Sequence, residues 1–244
     1  MRILCVMLAP LLLLFFDFWL LGRRSETEED QKECVESITE ESYLTYDAGL
    51  DELSYGKETA CKYRGLVLYL IISAGLLLVL AGRLIWECPE QSILFQCKRV
   101  SCLALLFVAA ATDYRRQIIP NRLILSGLGF RVVLLLAELA FERDILAMML
   151  FSEALGAVGI FIVCMVFLLM MKNSIGMGDV KLFMVMGLYL GLYSMIDAIM
   201  SSLVLAFICA VVLLLMRKKG KKDSLPFAPA VLAGTYLSVF LTGI

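Results

Sequence analysis

The sequence predicts an all-α polytopic membrane bundle of about eight transmembrane helices. Of 244 residues, 61% are apolar and only 18% are charged, and the mean hydropathy is +0.88. A water-soluble domain of this length needs more polar surface than those proportions leave. The apolar residues also gather into runs close to the roughly 20 residues that a spanning helix requires. The charges lie mainly between those runs and at their ends.

Taken in order, the runs cover 3–21, 66–86, 94–113, 123–141, 145–171, 180–197, 198–216 and 225–243. The first follows Met1-Arg2 and is closed by Arg23-Arg24, so residues 1–21 read as an uncleaved membrane anchor helix and not as a signal peptide. The run at 94–113 is interrupted early by Lys98 and Arg99, two side chains expected to snorkel to the interface. Basic residues orient the rest. Arg217, Lys218, Lys219, Lys221 and Lys222 crowd one short loop and mark it as cytoplasmic. Alternate crossings then place 172–179 and 114–122 on the same side, with Lys172, Lys181, Arg115, Arg116 and Arg122. They leave intervening loops near 142–144 and 191–196 that hold one basic residue, Arg143.

The same parity places residues 22–64 inside. This polar stretch carries six basic and twelve acidic residues, a net of −6. So acidic a segment builds little core of its own.

Histidine is absent, which removes Ser-His and Cys-His nucleophilic sites and the HExxH zinc helix. The eight cysteines form no C-x-x-C pair, so a zinc knuckle and a thioredoxin-like site are not indicated. Most stand in apolar runs, where Cys acts as a small hydrophobe. Cys88 and Cys97 either bridge one loop or remain thiols. No cofactor and no metal site is expected.

Carboxylates in apolar runs are costly and each asks for a reason. Glu138, Glu153 and Asp197 fall near outer helix ends, where an interfacial side chain meets water; Asp17 lies nearer an inner end. Asp113 and Asp179 differ, because both end apolar runs at the inner boundary, on different helices. Brought together, two carboxylates share one proton, since like charges at close range cannot both ionise. The ionised partner draws a proton from water that attacks a carbonyl carbon, and the neutral partner protonates the leaving nitrogen. Gly176 and Gly178 flank Met177 before Asp179 and let a backbone approach closely. Pro120 and Asn121 follow Asp113 and favour a fresh helix start.

The stretch Asp113-Tyr114-Arg115-Arg116-Gln117-Ile118-Ile119-Pro120-Asn121, followed by Gly176-Met177-Gly178-Asp179-Val180-Lys181-Leu182, resembles the paired motifs of the type IV prepilin peptidases, the GxGD membrane aspartic peptidases. Leu225-Pro226-Phe227-Ala228-Pro229-Ala230 resembles that family's proline-rich motif, with Ala228 where a glycine is usual. The resemblance covers roughly 66–244 and implies a peptidase core over 65–244. It implies Asp113 and Asp179 as the catalytic pair, Gly176, Gly178 and Lys181 in the active-site loop, and Pro120, Asn121, Pro226, Phe227 and Pro229 in support. It also implies substrates that are prepilins or pseudopilins with a hydrophobic N-terminal helix, a place in the cytoplasmic (inner) membrane with the site facing the cytoplasm, the lipid bilayer as partner, and no nucleic acid. Long family members carry two C-x-x-C pairs in an insert associated with N-methylation. Here 22–64 holds only Cys34 and Cys61, so cleavage without methylation is expected.

Three other assignments remain open at this level. A transporter or channel would use Asp113 and Asp179 as an ion or proton relay, ideally at the midplane and within inverted repeats. A thiol–disulfide enzyme would need paired cysteines. A Ser174–Lys181 pair is chemically feasible.

Overall fold

The computed structural model describes residues 51–87, 91–141, 143–170, 176–215 and 227–242, with Pro10, Leu11 and Leu14 besides. Among the described residues from 51 onward, six helices follow one another: α1 Asp51–Glu87, α2 Ile93–Arg116, α3 Asn121–Phe141, α4 Arg143–Met170, α5 Met177–Leu215 and α6 Ala228–Thr242. No strand occurs among the described residues, so the fold class is all-α. Stretches of α1 to α5 are long and apolar enough to cross a membrane, while α6 is apolar but shorter, at 15 residues. The expected run at 3–21 lies almost wholly outside the described residues, as does 22–50. The end of the acidic stretch is helical, because α1 already begins at Asp51.

α2 is the axle of the bundle. Every residue from Gln96 to Ala110 is buried. Ser92 starts the helix by accepting a hydrogen bond from the Phe95 amide at 3.2 Å, a side-chain cap for an otherwise orphaned donor. Gln117 ends it in the left-handed region at φ 52°, its N–H donating to the Asp113 carbonyl at 2.9 Å. α1 runs antiparallel along this axle. Near one end, the Tyr69 hydroxyl donates to Phe107 O at 2.7 Å; near the other, Gln96 Nε2 donates to Leu84 O at 3.2 Å. α6 passes the same hairpin, with the Tyr236 hydroxyl on Leu76 O and the Arg83 guanidinium 3.9 Å over the Phe240 ring.

The central position of α2 corrects the expectation for Lys98 and Arg99. They are 2% and 1% exposed and do not snorkel, because neighbouring helices enclose that face. Lys98 pairs with Glu138 and Glu153, and the Arg99 guanidinium lies 4.0 Å over the Phe95 ring, a cation–π arrangement. Glu138 and Glu153 are therefore buried ion-pair members and not interfacial side chains, whereas Asp197 is exposed. Cys97 is buried, and Cys88 lies outside the described residues.

The runs 180–197 and 198–216 are parts of one helix, α5, which breaks at Gly191, with φ 74° and ψ 178°, at the start of the loop expected near 191–196. That φ suits a residue without Cβ. Contacts show that the break is a sharp bend. Phe183 packs on Phe227, and Ser202 lies against Gly234. A straight helix would put Phe183 and Ser202 about 28 Å apart at 1.5 Å per residue, against about 10 Å between Phe227 and Gly234 on α6. The first half of α5 lies on α4 backbone to backbone: a Cβ on Gly187 would come within 2.7 Å of Ala157 N and Cα. Such small-residue seams let membrane helices approach closely.

Candidate active site

Asp113 sits in the last turns of α2, 7% exposed. Its Oδ2 accepts a hydrogen bond of 2.9 Å from the backbone N–H of Ala228, the first residue of α6. The carboxylate thus occupies the N-terminal end of another helix, where unsatisfied N–H groups point at an anion. This contact offsets the unfavourable C-terminal end of its own helix.

Asp179 lies in the first turn of α5, half-buried. Gly176 precedes the helix, and its carbonyl accepts from the amides of Asp179 at 3.0 Å and Val180 at 3.3 Å. In return the Asp179 carboxylate takes a backbone hydrogen bond from Gly176, the reciprocal pattern of a capping box. A Cβ on Gly176 would stand 3.2 Å from Asp179 Oδ2. The helix-capping part and the pairing part are therefore compatible: the cap aims the carboxyl group.

The two aspartates are brought together, close enough for the charge of Asp113 to act on Asp179. Three contacts set this convergence. Gly178 lies against Ile119, where an added Cβ would be 3.2 Å from Ile119 Cβ. Lys181 Nζ donates to Asn121 Oδ1 at 3.0 Å, tying the start of α5 to the start of α3. Phe227 meets Phe183 edge to face with ring centroids 5.9 Å apart, which seats the start of α6 over α5. Pro120 precedes α3, and its carbonyl accepts from the Leu123 amide at 3.1 Å. Pro229 lies in the first turn of α6. Of the residues singled out in the sequence, Pro226, Asp17 and Ser174 fall outside the described residues.

Other residues at the site were not legible in the sequence. Ala228 acts through its backbone, which no side-chain pattern reports. Cys164 on α4 lies within electrostatic reach of Asp179, and Ile119 forms the floor under Gly178. Among the described residues, no group of His, Cys, Asp and Glu side chains could hold a metal ion.

Comparison with known proteins follows the same stretch of chain. Residues 100–215 match the family described as the type IV leader peptidase family. A protein of Bacillus subtilis (strain 168), the "Prepilin leader peptidase/N-methyltransferase", is 32% identical over 136 residues. The shared region is 56% of this chain and 52% of that protein, so the match spans about half the length of the curated relative. No solved structure matches the chain. The matched stretch, just under half of the chain, holds Asp113, Asp179 and the two glycines before it.

Proposed function

We propose that the chain is a membrane aspartic endopeptidase that removes the short basic leader of a prepilin or pseudopilin at the cytoplasmic membrane face. The convergence of Asp113 and Asp179 at the ends of two helices carries this proposal. A pair of carboxyl groups sharing a proton supplies a base for water and an acid for the leaving nitrogen without a metal or an imidazole. Gly176, exposed beside Asp179, leaves room for a substrate backbone, while Gly178 lets the start of α5 close onto Ile119. The polar end of the bundle admits the water that hydrolysis consumes, while a substrate helix remains among apolar helices. The insert position carries Cys34 and Cys61 without a C-x-x-C pair, so we assign cleavage and not methylation.

The test uses the full chain in lipid vesicles with a pilin-like substrate that bears a basic leader before a hydrophobic helix. Asp113→Asn and Asp179→Asn each remove the shared proton at nearly constant volume. Each is expected to lower cleavage by about 10²–10⁴-fold while thermal unfolding stays near that of the parent. Normal cleavage by either variant would rule out the aspartic mechanism.

A further inference from the structure

The break at Gly191 interrupts the hydrogen-bond ladder of α5, and two other helices supply substitutes for two of the freed groups. In an unbroken helix the Leu192 N–H donates to the Leu188 carbonyl four residues back. Here the Leu188 carbonyl accepts from Arg131 Nε on α3 at 3.0 Å, and the Leu192 N–H donates to Ser152 Oγ on α4 at 3.3 Å. These two freed groups each have a partner, as a break inside an apolar bundle requires.

Arg131 is itself held. Its Nη2 donates to Glu138 at 3.0 Å and pairs with Glu153. Lys98 on α2 pairs with the same two glutamates, at 3.3 Å from Glu138. All four side chains are at most 5% exposed, and two cations balance two anions. A buried ion cluster gives little net stability compared with apolar packing, because desolvation offsets the attraction. What it does supply is direction. A guanidinium aims Nε at one acceptor and Nη2 at others in a fixed fork, which an ammonium cannot do.

The ends of this chain of contacts lie on the helices that carry the two aspartates. Lys98 shares α2 with Asp113, about 22 Å along the axis, and Leu188 lies about 14 Å beyond Asp179 on α5. We propose that Arg131, fixed by Glu138, Glu153 and Lys98, is a positioning residue for the candidate catalytic pair. It splints the α5 break and so sets the angle at which the first half of α5 brings Asp179 to Asp113. The near ends of the two helices meet through Gly178 on Ile119, and through the start of α6, where Phe227 packs on Phe183 and Ala228 donates to Asp113. The ion cluster is the second, remote point of attachment, and two points fix an angle where one does not.

This inference rests on the peptidase assignment, and the experiment separates the two. Arg131→Lys keeps the charge balance and loses the fork; Ser152→Ala removes the other substitute at the break and leaves every charge in place. Each is made in the full chain in lipid, with kcat and KM measured per folded molecule. Spin labels at Tyr114→Cys and Met177→Cys, in a background without other cysteines, report the distance between the two helix ends. Tyr114 and Met177 are exposed and flank the aspartates. Arg131→Lys is expected to lower kcat at least tenfold with KM within about twofold and to broaden the distance distribution; Ser152→Ala is expected to do the same at about threefold. A residue needed only for stability would lower the unfolding temperature and leave both readouts unchanged in the folded fraction, which would overturn the proposal. Should Arg131→Lys fail to fold, Ser152→Ala decides alone. An inactive parent chain with intact distance effects would refute the peptidase assignment and leave the splint standing.

Discussion

The backbone amide of Ala228 donates to the Asp113 carboxylate across 2.9 Å, so one candidate catalytic side chain depends on the first turn of a helix 115 residues further along the chain. Ala228→Pro isolates that dependence. Proline at the first position of a helix fits the backbone, removes the N–H and puts its Cδ where that hydrogen pointed, so the Asp113 carboxylate must also move aside. Loss of a hydrogen bond to a carboxylate is worth about 1–3 kcal/mol. Cleavage is therefore expected to fall by about tenfold to a hundredfold, because 1.4 kcal/mol is a factor of ten, while helix content by circular dichroism stays constant. An activity within twofold of the parent would show that Asp113 is held by other means.

Gly178 tests the contact at the opposite side of the pair. A methyl group there would stand 3.2 Å from Ile119 Cβ and 3.6 Å from Ile119 O. Helix and loop must then part by a few tenths of an ångström, enough to misplace a carboxyl group that works by geometry. Gly178→Ala is expected to lower kcat about tenfold or more. Gly178→Ala with Ile119→Gly should recover part of that loss, since the nearest contacted atom is the Ile119 Cβ that glycine lacks. Additive losses in the double variant would place the effect elsewhere, because residues in contact are expected to couple.

The sequence revealed the aspartates more readily than the framework that aims them. Asp113 and Asp179 are carboxylates at the ends of long apolar runs, and a charge in such a place is visible in one dimension. The same rule applied to Lys98 and Arg99 assigned them to an interface. It failed because burial in a bundle depends on which helix is central, and α2 is enclosed from Gln96 to Ala110. Arg131 and Glu138 stand seven residues apart, two helical turns on one face, so half of the ion cluster could have been found by spacing. Glu153 and Lys98 join it only through tertiary packing. The bend in α5 falls at the start of the loop expected near 191–196, but which residue bends is not visible in one dimension, since Gly187 and Gly191 are both available between Lys181 and Arg217. The backbone breaks at Gly191, where Arg131 and Ser152 satisfy two of the freed groups.

The ion cluster has a stability signature distinct from its proposed positioning part. Removing one member leaves an uncompensated buried charge, and Glu153→Gln or Lys98→Met is expected to destabilise the folded chain by about 3–5 kcal/mol. Removing one of each sign restores neutrality. The double variant Lys98→Met with Glu153→Gln leaves Arg131 facing Glu138 and should cost less than the sum of the two single changes. Thermal unfolding in a fixed detergent checks this as a double-mutant cycle. A coupling energy near zero would mean that Lys98 and Glu153 do not interact in the folded protein.

The acidic stretch offers a prediction about rate. Residues 22–64 carry a net charge of −6, and α1 continues as helix back to Asp51. Because α1 and α2 are antiparallel, with Tyr69 beside Phe107, the start of α1 extends past the end of the bundle that holds Asp113. Seventeen residues before Leu68 reach about 25 Å at 1.5 Å per residue. A basic leader approaching that end meets an attractive field, which raises encounter rates and is screened by salt over about 10 Å at 0.1 M ionic strength. Neutralising the acidic residues between 26 and 41 as amides should lower kcat/KM severalfold at low salt, with little effect on kcat. The difference should shrink as salt is added, since screening already does what the substitutions do. The salt dependence of kcat/KM for the two proteins checks this: parallel lines would assign residues 22–64 a role unrelated to substrate charge.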